Sequence, residues 1–167
     1  DPNTYKKGIT IGRVSTVRPP HNILSTHYNT LSKLNCILGS IEANELNYDE
    51  GIMNDPYGNV STCNSTNLFF IKNNSVWTSR GEYCLNGITR SKAIYLCEKN
   101  DINCYQKDFT FDEIKDCDEA FVTGTFAGII PVSRIENKKL SSTSSNSLTN
   151  HIRKLYNKNI QQSIEKK

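Results

Sequence analysis

The stretch Tyr83-Cys84-Leu85-Asn86-Gly87-Ile88-Thr89-Arg90 constrains this chain more than any other, because a strand-rich run ends there and a helical pattern begins. Gly87 frees the backbone at that junction, so the chain can approach another group closely. The first N–H groups of the helix that follows have no partner within it, which makes its start a ready anion site suited to a phosphate. Thr89 adds a hydroxyl donor, and Ala93, Leu96 and Cys97 recur at helical spacing to anchor the helix. An ordinary strand-to-helix turn is the alternative reading of the same residues.

The strands leading into this turn come as hairpins. Glu50–Asp55, a Pro56-Tyr57-Gly58 turn and Asn59–Thr62 form one. Leu68–Lys72, an Asn73-Asn74 turn and Ser75–Thr78 form a second. Before them, Ile9, Ile11 and Val14 mark a strand that stops ahead of Arg18-Pro19-Pro20. Leu31, Leu34, Ile37, Leu38 and Ile41 then predict a helix over 32–46, with Ser32 or Thr30 as its cap.

After the turn, the helix runs to about Lys99, Cys104–Phe109 is extended, and Thr110-Phe111-Asp112-Glu113 has the form of a capping box. Glu119–Thr123 reads as a core strand ending in a second small-residue turn at Gly124-Thr125, and Ile129–Ile135 as another strand. Ser141–Ser147 is expected to be a flexible polar link, and Leu148, Ile152, Leu155, Tyr156 and Ile160 to line a final amphipathic helix. There are no internal repeats.

The 167 residues suffice for one domain, and 36% hydrophobic with 22% charged residues is a globular rather than a disordered composition. No apolar run reaches the length of a membrane span. The formal charge of +3 is too small to argue for nucleic acid; its basic excess lies beyond Asn137, where a surface helix accounts for it. Cys36, Cys63, Cys84, Cys97, Cys104 and Cys117 have neither CxxC pairing nor metal-ligand spacing, so buried free thiols are expected and no metal. Three Asn-X-Ser/Thr matches in so asparagine-rich a chain carry little weight. The start lacks the apolar core of a signal peptide, so a cytoplasmic or organellar location is expected, and the chain reads as the C-terminal part of a longer polypeptide.

Taken together, Asp49-Glu50-Gly51-Ile52 through Asn67-Leu68-Phe69-Phe70, Leu85-Asn86-Gly87-Ile88-Thr89-Arg90, and Glu119-Ala120-Phe121-Val122-Thr123-Gly124-Thr125 resemble class IV pyridoxal-phosphate aminotransferases. The branched-chain and D-amino-acid aminotransferases are the nearest members, and the resemblance runs from about Lys33 to the last helix. It implies a mixed α/β large domain whose strands curl into a partly open barrel with flanking helices, and a small N-terminal domain outside this chain. By the same resemblance, Gly87, Ile88 and Thr89 hold the phosphate of pyridoxal 5'-phosphate with Gly124 and Thr125 opposite. Leu85 packs on the pyridine ring, and the backbone at Phe126 and Ala127 receives a substrate carboxylate. The partners implied are an amino acid, a 2-oxo acid and a second copy of the full-length protein.

Two positions depart from the family. Its Schiff-base lysine falls at Asn29, and the glutamate that keeps the ring nitrogen protonated falls at Thr62. An amide cannot form the imine, and a hydroxyl gives the ring proton little electrostatic help. Lys33, one helical turn after Asn29, is the candidate catalytic amine. Three readings stay open: a branched-chain-type aminotransferase, a non-catalytic homologue that keeps the phosphate cup, and a lyase of the aminodeoxychorismate type.

Overall fold

The computed structural model describes residues 3–20 and 22–165. A short helix α1 (Thr4–Lys7) leads into strand β1 (Ile9–Arg13), and helix α2 (Leu34–Glu45) precedes β2 (Glu50–Asn54) and β3 (Val60–Cys63). Then come the β4 (Asn67–Lys72) and β5 (Ser75–Thr78) hairpin, helix α3 (Ile88–Lys99), β6 (Cys104–Gln106) and helix α4 (Phe111–Lys115). The β7 (Glu119–Gly124) and β8 (Gly128–Ile135) hairpin, the short β9 (Lys138–Lys139) and helix α5 (Leu148–Glu165) complete the order.

The strands form one sheet in the order β3-β2-β1-β8-β7-β4-β5-β6, with β9 beside β8. Pairing is parallel where β1 meets β2 and β8 and where β5 meets β6, and antiparallel elsewhere. The sheet curls until its ends meet: Val60 N–H donates to the Phe109 carbonyl (2.8 Å), and Ser79 Oγ donates to the Ser61 carbonyl (2.7 Å). A mixed α/β domain built on a partly open barrel is therefore what the chain forms.

Period-two alternation sorts the side chains between two cores. Leu68 and Phe70 of β4 and Ala120 and Val122 of β7 point into the barrel with Ile11, Ile52, Val60 and Ile114. Phe69 and Phe121, paired across those strands, point outward and stack with centroids 4.7 Å apart. There they meet Ala93, Ile94 and Cys97 of α3 and Ile152 of α5. The Asn73-Asn74 turn has φ of 51° and 56°, the twist that two-residue hairpins require.

Three expectations change. Helix α2 starts at Leu34 rather than Ser32; Lys33 occupies its cap position without a side-chain bond, so neither Ser32 nor Thr30 caps it. The residues that α2 buries are Gly39 and Ala43, while Leu34, Ile37, Leu38 and Ile41 are exposed. Small residues let the helix lie close on β2, where a Cβ at Gly39 would come within 3.2 Å of the Met53 sulfur. The serine-rich segment is pinned rather than flexible: Ser142 Oγ accepts from Ala120 N–H (2.9 Å), and Ser147 Oγ donates to the Ser142 carbonyl (2.9 Å). Hydroxyls there take up backbone groups that a loop would leave unpaired.

Candidate active site

Helix α3 begins at Ile88 with Gly87 as its cap residue, and no side chain caps it. The first helical bond runs from Ser91 N–H to the Gly87 carbonyl (2.9 Å), so the Ile88, Thr89 and Arg90 N–H groups lack helical acceptors. Gly87 has ordinary extended angles (φ −62°, ψ 144°), and what it allows is close approach: a Cβ there would lie 2.7 Å from Asn67 Oδ1. Asn67, on β4, reaches the same turn through Nδ2 to the Leu85 carbonyl (2.8 Å). The turn is thereby tied to the sheet at its centre. Arg90 braces its other side by donating to the Ser79 carbonyl (2.7 Å), Gln106 Oε1 (3.0 Å) and Asn86 Oδ1 (3.2 Å).

Facing this helix start is the loop that joins β7 to β8, closed by Gly128 at φ 64°. Gly124 lies against the turn between β3 and β4, since a Cβ there would touch the Thr66 methyl at 3.4 Å. Between the two turns opens a cavity of about 430 Å³. Lys33, Thr62, Leu85, Gly87, Ile88, Thr89, Gly124, Thr125 and Phe126 all line it, as does Asn29. Ala127 is not part of the wall; its carbonyl accepts a hydrogen bond from the Tyr5 hydroxyl (2.8 Å).

The cavity's polar groups are poised for a ligand. Thr89 is 5% exposed, and its hydroxyl makes no hydrogen bond among the described residues. Thr123, next to Gly124, has a buried hydroxyl without a partner among the described residues. Thr62 donates its hydroxyl proton to the Thr66 carbonyl (2.7 Å), which leaves its oxygen as an acceptor. Burial pushes the Cys63 and Cys84 thiols up, so both stay protonated beside the cavity at neutral pH. No aspartate or glutamate is found among the described residues of the wall, which carries two cations, Arg18 and Lys33. A cavity so lined suits an anionic ligand.

Sequence reasoning did not find Arg18, Asn67 and Thr123. Arg18 precedes two prolines like any loop residue, and Asn67 begins a strand; only the curl of the sheet carries them to the cavity.

The sequence pattern of the amino-transferase class IV family matches residues 1–135. The chain is 35% identical over 153 residues to the branched-chain-amino-acid aminotransferase-like protein 2 of Arabidopsis thaliana, a match covering 90% of this chain and 27% of that protein. It is 32% identical to the branched-chain-amino-acid aminotransferase of Pseudomonas aeruginosa, covering 90% of this chain and 50% of that one. Among solved structures, an aminotransferase from Brucella abortus bound to the co-factor PLP superposes with a TM-score of 0.85 at 25% identity, over 91% of this chain and 54% of that one. The branched-chain aminotransferase of the thermophilic archaeon Thermoproteus uzoniensis with norvaline gives a TM-score of 0.84 at 28% identity, over 91% of this chain and 51% of that chain. The chain thus spans about half the length of most of these relatives, and about a quarter of the plant protein. With the family pattern matched over most of its length and the fold shared, the chain belongs to the class IV aminotransferases.

Proposed function

We propose that this chain is the cofactor-binding part of a pyridoxal-phosphate-dependent aminotransferase of branched-chain type, acting on an amino acid and a 2-oxo acid. The observation that carries the reading is the cavity where the uncapped start of α3 meets the β7–β8 loop, with the unpartnered Thr89 hydroxyl in its wall. The donor set fits a phosphate, which needs converging N–H and O–H groups. When bound, pyridoxal phosphate supplies the electron sink that lets an amino group leave one carbon skeleton and join another.

Each side chain then has a task. The Ile88 and Thr89 N–H groups and the Thr89 hydroxyl bind phosphate, and Thr125 closes the cup from the facing loop. Leu85 covers one ring face. Thr62 accepts from the ring nitrogen's proton through the oxygen it keeps free. The backbone N–H group of Phe126 orients a substrate carboxylate. Lys33 is the amine that moves a proton at the substrate Cα, because Asn29, beside it in the wall, has no basic nitrogen. A small domain from elsewhere in the full-length protein excludes water from the open side, and the active unit is a homodimer in the cytoplasm. The exposed apolar stripe of α2 is surface on which a second copy can bury area.

One experiment tests this. Pyridoxal phosphate is titrated into the protein and Thr89→Val, followed by borohydride reduction and peptide mapping. Loss of a donor to a charged acceptor weakens binding by about 1.5 to 3 kcal/mol. The label is expected on the Lys33 peptide and is lost in Lys33→Ala. Binding that depends on Thr89 with no lysine labelled assigns a non-catalytic homologue. Affinity unchanged in Thr89→Val overturns the site.

A further inference from the structure

Cys97 and Cys104 bracket the loop between α3 and β6, and the fold brings their sulfurs together. The loop is tied at each end: Ile102 N–H donates to the Cys97 carbonyl (2.9 Å), and Val76 N–H to the Asn103 carbonyl (2.8 Å). Cys104 then enters β6 opposite Val76, on the face of the sheet that packs on α3. Cys97 is fully buried in that packing, and Cys104 is half-buried. The two thiols are free and hydrogen-bonded to each other. Neither lines the candidate active site.

A cation completes the cluster. Arg90 is 4% exposed, and the acceptors of its guanidinium, the Ser79 carbonyl, Gln106 Oε1 and Asn86 Oδ1, are all neutral. Its Nε has no partner among the described residues. Gln106 and Cys104 are two residues apart on β6 and so share a side of the strand, which sets Arg90 within electrostatic reach of the Cys104 sulfur. A buried guanidinium without an anion is costly, and a thiolate at Cys104 supplies one. The Cys97 thiol, donating to Cys104, holds that sulfur below the ordinary thiol value against the cost of burial, and Arg90 adds to the effect. Cys97, as the donor, is held above it, and burial does the same to Cys63, Cys84 and Cys117.

We propose that Cys97 and Cys104 form an oxidisable dithiol, in which Cys104 reacts with a hydroperoxide and Cys97 resolves the product as an intramolecular disulfide. With hydrogen peroxide, the Cys104 thiolate attacks one oxygen, the O–O bond breaks, and hydroxide leaves to take up the proton that Cys104 released. Cys104 is then a sulfenic acid. The Cys97 sulfur attacks the Cys104 sulfur, the S–O bond breaks, and the oxygen departs as water with the Cys97 proton. Two thiols lose two electrons in all, and one peroxide becomes two waters. The disulfide fastens the C-terminal end of α3, whose other end is the uncapped start at Ile88, to the sheet at β6.

The test treats the folded full chain with hydrogen peroxide, alkylates the remaining thiols and cleaves with trypsin. Cleavage after Lys92, Lys99 and Lys107 puts the two cysteines on separate peptides, Ala93–Lys99 and Asn100–Lys107. These are expected to be recovered joined, with Cys84 and Cys117 alkylated, and a reductant should part them. In Cys97→Ser, Cys104 should persist as a sulfenic acid that dimedone traps. In Cys104→Ser, Cys97 should lose its thiol at least about tenfold more slowly than in the wild type. Both peptides recovered singly with alkylated thiols, under peroxide that oxidises the thiols of the denatured chain, would overturn the proposal. So would a disulfide from either cysteine to a different one, no dimedone adduct in Cys97→Ser, or an unchanged rate in Cys104→Ser. Where a variant fails to fold, the wild-type peptides decide.

Discussion

Glu50 shows how one residue on the rim of a barrel comes to titrate abnormally. Burial pushes its carboxyl above the ordinary value, and hydrogen bonds from Ser65 Oγ (2.5 Å) and Thr66 Oγ1 (2.7 Å) only partly offset that cost. Between the unfolded and the folded value, the folded chain therefore holds a proton that the unfolded chain has already released. Its contribution to stability is full below the unfolded value and is lost as pH rises through the higher folded value. Denaturant midpoints measured from mildly acidic pH to pH 7 should fall more for the wild type than for Glu50→Gln, and parallel curves would contradict the shift. The identity of Gly87 is set by Asn67 Oδ1, which would lie 2.7 Å from a Cβ there, and its backbone angles would suit any residue.

Helix termini were the most legible elements where the signal is local. Thr110 and Glu113 form the reciprocal box that their spacing implies, with Thr110 N–H donating to Glu113 Oε2 (2.7 Å) and the Thr110 hydroxyl donating to the same oxygen (3.0 Å). Thr110→Ala should cost about 1 kcal/mol of stability in chemical denaturation, because an orphan N–H of a five-residue helix loses its acceptor. No change would mean that α4 is held by Phe111 and Ile114 alone. Helix α2 was read correctly as a helix and misread in its cap, since no side chain caps its first turn and only the Lys33 carbonyl accepts there, from Ile37 N–H (2.9 Å). An apolar stripe also has two possible destinations, the chain's own core or another surface. Here Gly39 and Ala43 take the core side, and Leu34 remains 65% exposed.

At the scale of the whole molecule, closure of the sheet decides where function can sit. The bonds from Ser79 to Ser61 and from Val60 to Phe109 join segments far apart in sheet order, and Ser61 Oγ, donating to the Tyr83 carbonyl (2.8 Å), ties the Tyr83–Arg90 turn to that closure. The same curl leaves α2 on the outside with Ile37, Leu38 and Ile41 about half exposed. Sedimentation velocity should show self-association that Ile41→Lys weakens, because a charge in that stripe would lose its water on pairing. A wild type that stays monomeric at high concentration would show that the stripe is not a contact between copies.

Short-range physics was enough for the strands, the Asn73-Asn74 turn, the capping box and the start of α3, because alternation, left-handed asparagines and a glycine before a helix act over a few residues. Residue patterns also led to both turns of the candidate site. What they left undecided depends on contacts between distant segments. The outward stripe of α2, the tethering of Ser142 and Ser147 and the orphaned Thr123 hydroxyl exist only once the sheet has curled. Burial and partnering belong to the folded chain, and no local sequence window contains the second member of those pairs.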